Sequence, residues 1–249
     1  MKNNIIYKIK LKSSSLKNLI GLFGIAIIAL TIFGCTSTKK VTKLGKPIDT
    51  RWDFNTLKSW VDGSQNMKKV INYSTYNGLL HIVTRPDTWD RPKVRTTKAY
   101  KKGKYSWRVY VPEMGVGDMA SIGAFLYFDD THELDFEIGY GTAVVREKLN
   151  ASTEDLIVYM TSQANPFQSI PMKIKRNQWY TLAIELLIVN GKYKAVWYID
   201  NAELVSLNLE YGESIPFYIF CSLENLTFLG DHIPNHYNYA LFDYVEFTK

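Results

Sequence analysis

In the segment His132-Glu133-Leu134-Asp135-Phe136-Glu137-Ile138, acidic and apolar residues alternate. Successive side chains of a β-strand point to opposite faces, so Glu133, Asp135 and Glu137 would share one face and Leu134, Phe136 and Ile138 the other. The apolar face belongs on a core, which leaves the carboxylates on solvent or in a cleft. Three aligned carboxylates suit cleavage of a glycosidic bond. One attacks or stabilises the anomeric carbon, one delivers a proton to the leaving oxygen, and a third tunes both. Crowded like charges cannot all ionise cheaply, so at least one acid should keep its proton near neutral pH, as a general acid must. Geometry sets a condition. Residues i and i+4 of a strand lie ~13 Å apart at Cα, whereas a retaining pair needs carboxyls ~5 to 5.5 Å apart, so the side chains must converge on a concave sheet.

Little else in the sequence competes as a chemical centre. There is no Ser-His-Asp arrangement, Gly-rich phosphate loop or Cys cluster. His232 and His236 are four apart, but Pro234 between them argues for a loop rather than a helix that aims both at one metal, and no metal ligand is assigned. His81 and His132 alternate within strands and are given no chemical part. Residues suited to holding a sugar are Trp89, in the polar loop Pro86-Asp87-Thr88-Trp89-Asp90, and Tyr127 and Tyr140, which flank the acidic strand. Arg108 should share a face with Ser106 and Tyr110, opposite Trp107, and a pairing with the acids is weighed against a plain surface charge. Trp107, Trp179 and Trp197 are expected in the core.

These residues need elements to hold them. From residue 76 onward apolar residues recur with period two, in short runs broken by Gly, Pro, Asn and Asp, so the domain reads as strands with little helix. The clearest runs are 78–84, 104–111, 120–128, 133–139, 156–161, 179–189, 193–200, 215–223 and 239–248, which suit an all-β sandwich. Asn190-Gly191 supplies the positive φ angles of a two-residue turn, so its flanking runs should form an antiparallel hairpin. The segments 85–93, 165–177 and 230–238 are expected to be loops edging a groove.

The N-terminus is built differently. Lys2, Lys8, Lys10, Lys12 and Lys17 precede an apolar run over 19–33, the pattern of an export signal covering 1–34. The run has 15 residues, short for a ~30 Å hydrocarbon layer, which wants roughly 20. It ends Thr31-Ile32-Phe33-Gly34-Cys35, which resembles a bacterial lipoprotein cleavage box and implies lipidation of Cys35. Residues 36–47, with Lys39, Lys40, Lys43 and Lys46, read as a tether near anionic lipid. The domain is then 48–249. Nine of the 30 basic residues and none of the 24 acidic ones precede it, leaving 21 against 24, a net −3. The overall +6 belongs to signal and tether, so nucleic-acid binding is set aside. With Cys35 lipidated, Cys221 has no partner and the domain should lack a disulfide.

Glu133-Leu134-Asp135-Phe136-Glu137 resembles the E-x-D-x-E signature of glycoside hydrolase family 16, the laminarinase and lichenase group. Upstream, Lys102-Gly103-Lys104-Tyr105-Ser106-Trp107-Arg108-Val109 and Gly123-Ala124-Phe125-Leu126-Tyr127 resemble its two preceding strands. Val196-Trp197-Tyr198-Ile199-Asp200 and Phe242-Asp243-Tyr244-Val245-Glu246 resemble later ones. The resemblance implies a concanavalin A-like jelly roll of two curved antiparallel sheets and a retaining double displacement. By it, Glu133 is nucleophile, Glu137 acid/base and Asp135 the supporting carboxylate. The family usually has aromatics where Leu126 and Leu223-Glu224-Asn225 stand, lining sugar subsites, so Glu224 joins the expected substrate-binding residues. The expected activity is endo-hydrolysis of a β-glucan or algal galactan by a monomer that is lipid-anchored in a bacterial cell envelope, at the outer membrane or cell surface. No cofactor is expected, with a structural calcium left open. The alternative is a noncatalytic glycan-binding lipoprotein using the same concave face.

Overall fold

The computed structural model describes residues 50–66 and 70–249. The expected export signal, Cys35 and the expected basic tether lie outside the described residues. In chain order the elements are β1 (Thr50–Trp52), β2 (Trp60–Asp62), β3 (Tyr73–Tyr76), β4 (Leu79–Thr84), β5 (Lys93–Thr96), β6 (Gly103–Val111), β7 (Ala120–Asp129) and β8 (His132–Gly139). A short helix, α1 (Ala143–Lys148), follows. The chain continues through β9 (Asp155–Ser162), β10 (Gln168–Lys175), β11 (Gln178–Val189), β12 (Lys192–Ile199), β13 (Ala202–Asn208), β14 (Tyr218–Asn225) and β15 (Asn238–Thr248).

The strands form two antiparallel sheets. One runs β13-β12-β11-β6-β15-β4-β3 with β1 also on β15; the other runs β10-β9-β8-β7-β14-β5-β2. Spatial neighbours are distant in sequence, β14 lying between β7 and β5 and β15 between β6 and β4, so the chain crosses repeatedly between layers. This is a jelly-roll β-sandwich of the concanavalin A-like kind, as expected from the strand pattern and the resemblance.

Alternation assigns the inner faces. Leu134, Phe136 and Ile138 on β8, Tyr105, Trp107 and Val109 on β6, and Leu182 and Ile184 on β11 are fully buried between the sheets. Burying a side chain of this size is worth roughly 1.5–3 kcal/mol. Two indoles tie the layers together. Trp107 Nε1 donates to the Phe220 carbonyl at 3.0 Å and Trp197 Nε1 to the Asp135 carbonyl at 3.1 Å. A buried indole N–H needs an acceptor, and here meeting that need pins the acidic strand from behind. Trp179 departs from expectation. Tyr180, Leu182 and Ile184 take the inward positions of β11, so Trp179 falls on the outer face, partly exposed, against Tyr110 at 5.4 Å.

All nine expected strands are present. The last but one begins later than expected, at Tyr218, and extends to Asn225. The expected hairpin closes through Val189↔Lys192, with Asn190 and Gly191 at φ 51° and 79°. The segment 165–177, expected as a loop, instead contains β10, in unbroken register with β9 from Gln168↔Ser162 to Lys175↔Asp155. Pro171 argues against a central strand because it lacks an N–H, but a strand at the sheet's edge tolerates it. Strands β1, β2, β3 and β5 have only three or four residues and show no readable period. Helix α1 is held by Arg146, which donates to the carbonyls of Tyr140 at 2.7 Å, Asp155 at 2.9 Å and Ser152 at 2.7 Å.

Candidate active site

The registers of β5, β14, β7, β8 and β9 line up side chains in rows across the face opposite the core. One row reads Lys93, Ser222, Gly123, Glu137, Tyr159; the next reads Arg95, Phe220, Phe125, Asp135, Thr161. A third joins Tyr218, Tyr127 and Glu133, and a fourth Glu224, Ser121 and Gly139. These rows face a cleft of about 390 Å³, lined among others by Glu133, Glu137, Glu224, Lys93 and Tyr127.

The three carboxylates expected from the sequence do share this face. Glu137 is 6% exposed and Asp135 1%. The Ser121 hydroxyl donates to Glu137 Oε2, and Gln163 Nε2 donates to Asp135 Oδ2 at 2.8 Å. Gly123 makes room between Ser222 and Glu137. A Cβ there would stand 2.3 Å from Ser222 Oγ and 3.1 Å from Glu137 Oε1. Glu224, also expected at the site, lines the cleft and accepts Lys93 Nζ at 2.6 Å and Arg91 Nε at 2.5 Å on the same oxygen.

Burial governs the protonation of the trio. Glu133 is pushed up to about 8, first by burial and then by the charges of Asp135 and Glu224, with Lys93 pulling it down. Asp135 is pushed up to about 7 by burial, against the hydrogen bonds of Gln163 and Thr161. Burial, with Asp135 and Glu224 adding like charge, drives Glu137 well above the usual carboxylate range. The three titrate as a cluster, so the site holds protons at neutral pH that exposed carboxylates would have released.

The structure places the other expected residues in different ways. Tyr127 lines the cleft, its hydroxyl donating to Asp130 at 2.8 Å, which pushes the phenol up to about 12. Trp89 is 46% exposed on the 85–92 loop but does not line the cleft. Tyr140 is a correction. It lines a separate hollow with Gly141 and Arg146, whose guanidinium lies over its ring at 3.9 Å, because the chain leaves β8 after Gly139 and turns into α1. Arg108 is a second correction. Strand β6 belongs to the other sheet, and with Trp107 in the core Arg108 faces outward there, 3.9 Å from Asp200 and hydrogen-bonded to Thr181, away from the acids. His132 packs on Tyr211 with ring centres 4.5 Å apart, and His232 and His236 approach buried Asp118 at 3.5 and 3.0 Å. Among the described residues no group of three or more His, Cys, Asp or Glu side chains is placed to hold a metal ion. Cys221 is free and buried.

Several cleft residues escaped the sequence reading. Phe125 and Phe220 stack on the cleft floor at 4.6 Å, Phe228 stands 47% exposed in its lining, and Gln163, Arg91, Lys93 and Arg95 complete it. Alternation could have found the last three, since 91, 93 and 95 fall on one face. Nothing in so short a strand revealed which sheet it joins.

Searches among solved structures find the same sandwich elsewhere. A β-glucanase of Bacillus licheniformis superposes with a TM-score of 0.59 at 17% identity, over 80% of this chain and 97% of that one. A structure from work on endo-acting O-glycanases that members of the human gut microbiota express to initiate mucin breakdown gives 0.62 at 13%, over 81% and 99%. A family 16 glycoside hydrolase of Bacteroides ovatus, solved with a G4G4G3G product, gives 0.56 at 13%, over 80% and 99%. No family model and no curated protein matches the sequence. At these identities the likeness establishes a family 16-like fold.

Proposed function

We propose that this chain is a glycoside hydrolase that cuts internal β-glycosidic bonds of a polysaccharide with retention of configuration. The observation that carries the reading is the placement of Glu133, Asp135 and Glu137 on one cleft face with their protons held by burial. Glu137 serves as acid, giving its proton to the glycosidic oxygen while the Glu133 carboxylate attacks the anomeric carbon and forms a glycosyl ester. Glu137 then takes a proton from the water that cleaves the ester. Asp135, between them and held by Gln163, sets the charge that both feel. Glu133 must be ionised to attack, so the rate should rise with pH above the ordinary carboxylate range and fall again as Glu137 loses its proton. Tyr127 and exposed Phe228 supply aromatic faces for sugar rings. Likeness to glycan-cutting enzymes of the same fold supports the reading.

A reducing-end assay on residues 36–249 against β-glucans and algal galactans tests it, with Glu133→Gln alongside. Release of reducing ends that disappears in the variant is the expected result. Product sizes distinguish endo from exo cutting, and the anomer first formed, read by NMR, tests retention. A folded protein that binds a polymer without cutting it would overturn the catalytic reading in favour of a binding module. The sequence around Cys35 supports export and lipid anchoring in the cell envelope. Cys35→Ala should move the protein from the membrane fraction to the soluble one.

A further inference from the structure

Resting on the glycanase reading, we infer that the polysaccharide taken by this cleft is anionic, bearing sulfate or carboxylate groups that Arg91, Lys93 and Arg95 contact. These three cations occupy alternate positions, Arg91 just before β5 and Lys93 and Arg95 in it, and all of them line the cleft. Glu224 offers them a single carboxylate, and one oxygen of it takes both Lys93 Nζ and Arg91 Nε. Among the described residues Arg95 has no acidic partner. Its guanidinium lies over the Tyr218 ring at 4.4 Å and gives one hydrogen bond to the Thr96 carbonyl at 3.1 Å. Against Glu224 alone the three charges leave this wall an excess of two; Glu133, whose charge Lys93 also feels, offsets part of it once ionised, and Arg95 is left without an acid. The remaining acid of the lining outside the catalytic trio, Asp130, is bonded to Tyr127 at the β7–β8 turn.

A wall built for a neutral sugar would not keep this excess. Lys93 is only 6% exposed, and a buried ammonium that shares its counter-ion costs desolvation energy unless another anion completes its shell. Arg91 engages Glu224 through Nε, which leaves its terminal amino groups as a fork that fits a sulfate or carboxylate. In sheet order β5 stands three strands from β8, roughly 14 Å at ~4.8 Å per strand. The anionic group therefore sits on sugars along the chain from the cleaved bond, where it sets which polymer is held.

Affinity electrophoresis of the Glu133→Gln variant tests this, in gels holding carrageenan, desulfated carrageenan, alginate or laminarin at low and high salt. We expect a charged polymer to retard the protein with affinity at least about ten-fold above the neutral ones, weakening as salt screens the contacts. Adding Arg95→Met, which removes no ion pair, should erase most of that preference. Retention by carrageenan alone identifies sulfate, by alginate alone carboxylate. Equal retention by charged and neutral polymers, or retention by none, overturns the inference. Hydrolysis of neutral polymers without preference for charge would sink this inference and leave the glycanase reading standing. Charge-selective binding by a wild type that cuts nothing would do the reverse.

Discussion

Two strands of this sandwich follow the same rule to opposite ends. On β8 and on β6, apolar residues alternate with polar ones, and in both the apolar set fills the space between the sheets. The polar set of β8 then lies in a cleft, where Asp135 and Glu137 are almost wholly buried and titrate above the ordinary carboxylate range. The polar set of β6 lies on an outer face, where the Arg108 side chain is 32% exposed and meets Asp200 at 3.9 Å, a contact worth little in water. Alternation thus decides which residues share a face. Whether that face becomes a reactive site depends on what stands beside it, and β8 alone has Lys93, Glu224 and Gln163 within electrostatic reach.

Breaking this contrast is the sharpest test. Glu137→Gln should cut hydrolysis by roughly 10²- to 10⁴-fold, whereas Arg108→Ala should change it by less than about two-fold. Comparable losses in the reducing-end assay would refute the division between the two faces. Next comes Gly123→Ala, whose methyl group would crowd Ser222 and Glu137. It should lower the turnover number about ten-fold, near 1.4 kcal/mol of barrier. Gly191→Ala, at a turn with open space around it, should leave turnover unaltered while costing some stability through its positive φ. If both glycines behave alike, the close packing at Gly123 has no catalytic consequence.

Smaller effects separate the tryptophans. Trp197→Phe removes the bond to the Asp135 carbonyl and should cost about 1–3 kcal/mol in denaturant unfolding. Trp179→Phe on the outer face should cost under about 0.5 kcal/mol. A further effect concerns pH and stability. Glu133 takes up protons in the folded state up to about 8, far above its ordinary range, so the fold binds more protons than the unfolded chain across that window. Stability must then fall as pH rises through it. Glu133→Gln should flatten this decline, gaining a few degrees of melting temperature over wild type at about pH 8 relative to about pH 5. Arg108→Ala should keep the wild-type slope, and an unchanged slope in Glu133→Gln would contradict the half-buried placement of that acid among Asp135 and Glu224.

Legibility followed the length and regularity of each element. The acidic strand, the Asn190-Gly191 hairpin and the long runs of β6, β7 and β15 carry enough alternating residues to declare both their type and their inward face, whereas β11 declared its type but not its face, since Trp179 was expected inside and lies outside. Strand β10 was hidden by Pro171, which breaks an alternation of Ile170, Met172 and Ile174 with Ser169, Lys173 and Lys175 and is tolerated only at the sheet's edge. Arg91, Lys93 and Arg95 share a face by alternation, but the four residues of β5 did not reveal which sheet they join, which is why the cationic wall of the cleft went unread. Tyr140 and Arg108 were misplaced for a related reason. Tyr140 was judged by its closeness to the acids in sequence and Arg108 by the face it shares with Ser106 and Tyr110, and neither distance along the chain nor parity says which sheet a strand joins.

The sequence by itself determined the all-β class, the pairing of three carboxylates on one side of a strand, and the separation of a basic N-terminus from an acidic domain. These are local properties, set by the two-residue repeat of a strand and by composition. Only the tertiary structure decided that β8 lies beside β7 and β9 in the sheet that bears the cleft, that Lys93 and Glu224 come from strands remote in the chain to meet there, and that Arg108 does not. Such pairings depend on the order of strands across each sheet, which the chain crosses between layers to establish, and no local pattern encodes that order.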